Sequence, residues 1–132
     1  MSERDLIAAN DAFYAAFAAH DAAAMDGLWS QDGPIACIHP GWGVLSDRRR
    51  IIDSWRAIFE SPDAPNIVCV APQAFLIGDV GFVVCFEQIG ATCLIATNLF
   101  ARRDGAWKMV HHQAGPTSIR PETGQSAAER LH

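Results

Sequence analysis

Half of the 132 residues are hydrophobic, yet no apolar run approaches the roughly 20 residues that a membrane-spanning helix needs. The opening stretch, MSERDLIAAND, is charged where a signal peptide would be apolar, so we expect a soluble, cytoplasmic protein with no membrane partner. Positive charge is scarce. Ten Lys and Arg against fifteen Asp and Glu give a formal net charge of -5, and the basic cluster is confined to Arg48, Arg49 and Arg50. A nucleic-acid binder needs a wider basic footprint, which makes nucleic acid an unexpected partner. Cys37, Cys69, Cys85 and Cys93 show no CxxC spacing and lie in apolar segments. They read as small buried side chains, not as zinc ligands or a disulfide framework. The histidines show no HxH or HxxxH spacing, so neither a metal nor another cofactor is expected.

The length suits a single domain, 1–132, with a core over about residues 5–116 and a tail over 117–132. Residues 3–19 place Leu6, Ile7, Asn10, Phe13, Tyr14 and Phe17 at helical spacing. Asp21 is positioned to cap a second short helix ending near Trp29. A strand is expected over Ile35–His39, broken by HPGWG, and Ser46 or Asp47 then caps a third helix over 47–60. Beyond SPDAPN, β-branched and aromatic residues predict strands over 66–77, 79–88, 91–103 and 106–114. Helices followed by a meander of strands indicate an α+β domain, with three helices covering one face of a curved, mostly antiparallel sheet.

The stretch WKMVHHQAGP sets His111 beside His112, and on a strand neighbouring side chains point to opposite faces. The Asp-Gly pair of RRDGAW favours a two-residue hairpin turn. Counting back from it pairs Arg103 with Ala106 and Phe100 with Met109. On the same face come Asn98 with His111 and Ala96 with Gln113. The other face pairs Ala101 with Lys108, Leu99 with Val110 and Thr97 with His112. Trp107, Met109 and Phe100 make the first face the helix-covered one, so His111, Asn98 and Gln113 are expected inside and His112 outside. A slip of one residue would exchange the histidines. The same counting around Ile89-Gly90 pairs Glu87 with Thr92 and Asn98 with Gly81. Glu87 then lies on the concave side, too far for direct contact with His111, at the rim or beside Arg49 or Arg102.

FYAAFAAHDAAAMDGLW, IACIHPGWGVLSDRRRIIDSWRAIF and ATNLFARRDGAWKMVHHQAGP together make the chain resemble the SnoaL-like branch of the nuclear transport factor 2-like superfamily, over about residues 5–116. The resemblance implies a cone of curved sheet closed by three helices around an apolar cavity. It does not choose a reaction, because that superfamily includes isomerases, cyclases, dehydratases, hydrolases and members without chemistry. This chain departs from the steroid-isomerase pattern: the middle strands hold no Asp, and their closest acid is Glu87.

The candidate catalytic residues are His111, Asn98 and Tyr14, since an imidazole with an ordinary pKa near 6.5 exchanges protons at neutral pH and a facing amide fixes its tautomer. Phe17, Trp29, His39, Trp42, Trp55 and Gln113 are the candidate ligand contacts. Each has a purely structural alternative, packing for the tryptophans and hydrogen-bond satisfaction for the polar groups. The expected partners are a small apolar or amphipathic molecule in the cone and a second copy of the chain against the apolar outer face of the sheet. The competing reading is a non-catalytic dimeric interaction module with a filled cavity.

Overall fold

The computed structural model describes residues 2–121. The part of the expected tail from residue 122 onward falls outside them. Helix α1 (Glu3–Ala18) starts with a capping box, in which the Ser2 side chain accepts from the Asp5 backbone and the Asp5 carboxylate accepts from the Ser2 backbone. Helix α2 (Ala22–Leu28) is capped by Asp21, whose carboxylate accepts from the Ala24 N–H at 3.0 Å. Strand β1 (Ala36–Ile38) follows. Asp47, not Ser46, then caps α3 (Arg48–Glu60), accepting from the Arg49 N–H at 2.9 Å. Strands β2 (Val68–Ile77), β3 (Val80–Ile89), β4 (Thr92–Arg103) and β5 (Ala106–Pro116) complete the fold.

The three helices pack on a five-stranded, non-closed sheet of order β1-β5-β4-β3-β2. The last four strands form the expected antiparallel meander, and β1 adds to β5 in parallel, with Cys37 opposite His112. Three residues carry too little pattern to announce that partner. Among the described residues no helix is long and apolar enough to cross a membrane.

The register departs from expectation in two places. Asp104 and Gly105 both have positive φ, 52° and 78°, as the hairpin turn requires, and Arg103–Ala106 and Phe100–Met109 pair as counted. Beyond Met109 the ladder shifts: Leu99 pairs with His111 and Asn98 with His112. Val110 is therefore the extra residue of a β-bulge, and every later side chain of β5 changes face. At the β3–β4 turn, Ile89 pairs with Thr92, Glu87 with Leu94 and Val83 with Asn98. This slip is even, so Glu87 stays on the concave side but comes closer to Asn98 than counted.

The concave face carries Val83, Cys85, Ala96, Phe100 and Met109 against Leu6, Phe13, Phe17, Ile51 and Trp55 of the helices, all of them buried. Leu6 presses so closely on Gly81 that a Cβ at that glycine would lie 2.7 Å from the Leu6 Cδ2. Replacing Gly81 with Ala is expected to destabilise the fold by about 1–3 kcal/mol through overpacking. Urea denaturation checks this, and combining the change with Leu6→Ala should cost less than the two changes summed.

Candidate functional site

A chain of buried polar side chains crosses the concave face. His112 Nδ1 lies 2.6 Å from Asn98 Oδ1. The Asn98 amide nitrogen donates to Asn10 Oδ1 at 2.8 Å and to the Tyr14 hydroxyl at 3.1 Å. Tyr14 in turn donates to Glu87 Oε2 at 2.6 Å, with Cys85 Sγ 3.2 Å from the same hydroxyl. Since Asn98 spends its N–H groups on Asn10 and Tyr14, its oxygen must accept from His112, which fixes the Nδ1–H tautomer and leaves Nε2 with a bare lone pair. Donation thus runs one way, from His112 through Asn98 and Tyr14 to Glu87. A second, smaller chain starts at His39: its Nε2 sits 2.8 Å from Ser54 Oγ, and Ser54 donates to the Ile51 carbonyl at 2.6 Å.

Both chains end at one apolar cavity of about 170 Å³. Helices α1 and α3 contribute Phe17, Trp55 and Ile58; the HPGW segment contributes His39, Pro40 and Trp42; Pro65 and Ile67 precede β2; the sheet contributes Glu87, Ile89, Leu94 and His112. For scale, an apolar cavity of about 150 Å³ accepts benzene. The His39 ring is edge-on to Trp42 and to Trp55, each with centroids 4.7 Å apart, and lies 6.5 Å from the His112 ring. Burial governs the charges here. It holds the His112 imidazole down at about 3, helped by the nearby His39 and His111, and His39 at about 4. Burial likewise raises Glu87 above the ordinary carboxyl value, opposed by the Tyr14 hydrogen bond, and raises the Tyr14 hydroxyl further from ionisation.

The sequence-predicted residues divide accordingly. Phe17, His39, Trp42 and Trp55 line the cavity, Trp42 from the half-exposed mouth. Tyr14 and Asn98 are buried behind it, as links in the polar chain. Three placements are corrected. His111 is half-buried opposite Leu99 on the outer face, its inward place taken by His112 because of the bulge at Val110. Gln113 moves outward for the same reason and lies exposed beside Ile95 and Thr97. Trp29 is fully buried in the core and has no part in the cavity wall.

Glu87 is neither at a rim nor paired with arginine; it is 2% exposed and bonded to Tyr14. The inward alternation Val83, Cys85, Glu87 was a usable signal for it. His112 had none, since nothing local to Val110 announces a bulge. Among the described residues no group of three His, Cys, Asp or Glu side chains is placed to hold a metal ion.

A family model for the SnoaL-like domain matches residues 6–117. Among solved structures, the chain is similar to a candidate dehydratase of the NTF2-like family from Streptomyces avermitilis, with 26% identity, a TM-score of 0.78, and coverage of 88% of this chain and 96% of that one. It is also similar to a candidate calcium/calmodulin-dependent protein kinase type II association domain from Thiobacillus denitrificans, with 33% identity, a TM-score of 0.72, and coverage of 84% and 94%. Among curated proteins it is 24% identical over 113 residues to the F-box protein SKIP8 of Arabidopsis thaliana. That alignment takes in 84% of this chain and 49% of the relative, so the chain spans about half the length of that relative.

The buried histidines predict a pH dependence. Above their ordinary value of 6.5 both are neutral, folded or unfolded; below it the unfolded chain takes up protons that the folded protein refuses until about 4 at His39 and about 3 at His112. Stability is therefore lost as pH falls through that window, by up to about 1.4 kcal/mol per pH unit for each histidine. Glu87 acts oppositely: its raised value makes its contribution shrink as pH rises above 4.5. Urea titrations between these limits should show the acid-side slope flattened in His112→Gln, which keeps a donor for Asn98; an unchanged slope would contradict the assignment.

Proposed function

The chain belongs to the SnoaL-like domain family, and from that premise we propose that its cone binds a small amphipathic molecule and performs proton-transfer chemistry of lyase or isomerase type. The observation that carries this reading is the pairing, on one cavity, of a buried carboxyl and a buried imidazole joined by a one-way hydrogen-bond chain. Burial pushes the Glu87 value up and the His112 value down, the directions that favour a proton on the carboxyl and none on the second imidazole nitrogen.

In a lyase turnover, His112 Nε2 removes a proton from the carbon next to a substrate carbonyl. The C–H electron pair becomes a C=C bond, and the C–O bond of a β-hydroxyl breaks. That hydroxyl leaves as water with the Glu87 proton. In an isomerase turnover on a β,γ-unsaturated ketone, His112 leaves a dienolate and the Glu87 proton goes instead to its γ-carbon, so that the C=C bond moves into conjugation. Either way His112 is left as imidazolium and Glu87 as carboxylate, and solvent returns the proton. The polar chain suits this charge separation: Asn98 Oδ1 faces the developing cation, and the Tyr14 hydroxyl donates to the developing anion. Asn98 and Tyr14 are thus positioning residues. The likeness to a candidate dehydratase is consistent with the lyase form.

A second reading, an interaction module, draws on the outer face of the sheet. Phe75 stacks on Phe82 with centroids 4.8 Å apart, and Phe75 and Ile95 remain 42% and 38% exposed. Contiguous apolar surface of this kind favours a sheet-to-sheet homodimer, which is compatible with either reading and involves none of these residues in the cavity wall. The free thiols of Cys37, Cys69, Cys85 and Cys93 support a cytoplasmic location.

Turnover of cyclic β-hydroxy ketones, followed by the absorbance of the conjugated product, tests the chemistry. Glu87→Gln and His112→Gln are each expected to lower kcat by about 10²–10⁴-fold, and unchanged rates would remove the proposed roles. Tyr14→Phe should move the alkaline limb of the rate profile to higher pH, because the hydrogen bond it removes lowers the Glu87 value. For the dimer, light scattering should show two copies in the parent protein and one in Ile95→Glu; a monomeric parent would refute the interface.

A further inference from the structure

We propose that the cavity selects an uncharged, ring-sized molecule bearing a hydroxyl group and rejects carboxylates and ammonium ions of the same shape. The inference rests on the reading of this cavity as a ligand site and specifies what that site takes. Its first support is the wall. No Lys or Arg lines the cavity, and its ionisable side chains are Glu87, His39 and His112. A carboxylate entering would lose its water and find no cation to pair with, a desolvation cost that the apolar surroundings magnify. An ammonium ion would have to form a buried ion pair with Glu87 among Phe17, Trp55, Ile67 and Leu94, with its own desolvation penalty.

The second support is the tautomer of His39. Ser54 has a single hydroxyl proton, given to the Ile51 carbonyl, so at 2.8 Å its oxygen accepts from His39 Nε2. His39 Nδ1 is therefore bare, like His112 Nε2, and neither nitrogen has a hydrogen-bond partner among the described residues. Two acceptors bordering one cavity call for donors. With His112 engaged as base, His39 is left to accept from a substrate hydroxyl. The volume of about 170 Å³ sets the size: a single ring fits, whereas a fused polycyclic skeleton would have to stay outside.

Binding to the full-length protein at pH 7, read by quenching of tryptophan fluorescence, tests this with four probes: cyclohexylmethanol, its methyl ether, cyclohexanecarboxylate and cyclohexylmethylammonium. The alcohol is expected to bind at least about tenfold tighter than either ion and severalfold tighter than the ether. The ¹⁵N resonance of His39 Nδ1 should move with the alcohol and stay with the ether, a measurement that needs no variant. Ile58→Lys, which brings an ammonium to the half-buried side of the wall, should improve carboxylate binding about tenfold. Equal or tighter binding of either ion to the parent protein, an indifferent His39 signal, or no binding by any probe would overturn the selection. None of these probes is a substrate for elimination. The expected binding order without turnover of β-hydroxy ketones would therefore count against the proton-transfer reading alone, and turnover of a carboxylate substrate against the selection alone.

Discussion

One extra residue in β5, Val110, sets which polar groups meet inside this protein. Without it the two ladders would run in phase from the Asp104-Gly105 turn, putting His111 and Gln113 under the helices and His112 outside. With it, Val110 and His111 both leave the concave face and His112 turns in, opposite Asn98. A buried imidazole must be satisfied, and here the partner across the strand is an amide already held by Asn10 and Tyr14. The bulge decides which imidazole meets that amide: without it His111 would stand opposite Asn98, and Gln113 in place of Ala114 would turn inward.

The chain that results is polarised. Each link donates toward Glu87, and the far end is a carboxyl whose surroundings disfavour charge. In water a carboxyl of ordinary strength protonates an imidazole, leaving both groups charged. Inside the cone, desolvation works against both charges, pushing the Glu87 value up and the His112 value down. The fixed dipoles of the chain suit the charge-separated state that the proposed proton transfer creates.

The rest of the cavity serves shape and exclusion. Trp55 contacts Phe13, Phe17, Phe59, His39 and His112 through ring pairs, so a single indole ties α1, α3 and the mouth segment together. Ser54, one residue earlier on α3, orients His39. The dipeptide thus places a packing anchor and a tautomer-fixing hydroxyl side by side, which is why the helix following HPGWG matters to the cavity as well as to the core.

The three helices, the Asp21 cap, a third-helix cap at Ser46 or Asp47, the Asp-Gly turn and the α+β order were all legible, because capping, helical spacing and hairpin chemistry act over a few residues and are written where they operate. The resemblance to the SnoaL-like family was legible for the same reason, through HPGW, the Ser54-Trp55 pair and WKMVHH in order. Glu87 was half legible: its face followed from alternation, but its partner Tyr14 lies 73 positions away. What the sequence could not decide was which histidine looks inward. Side-chain direction in a strand has period two, so one inserted residue inverts it, and the hydrogen bonds that His112 then joins, through Asn98 to Asn10 and Tyr14, exist only once helix α1 has docked on the sheet.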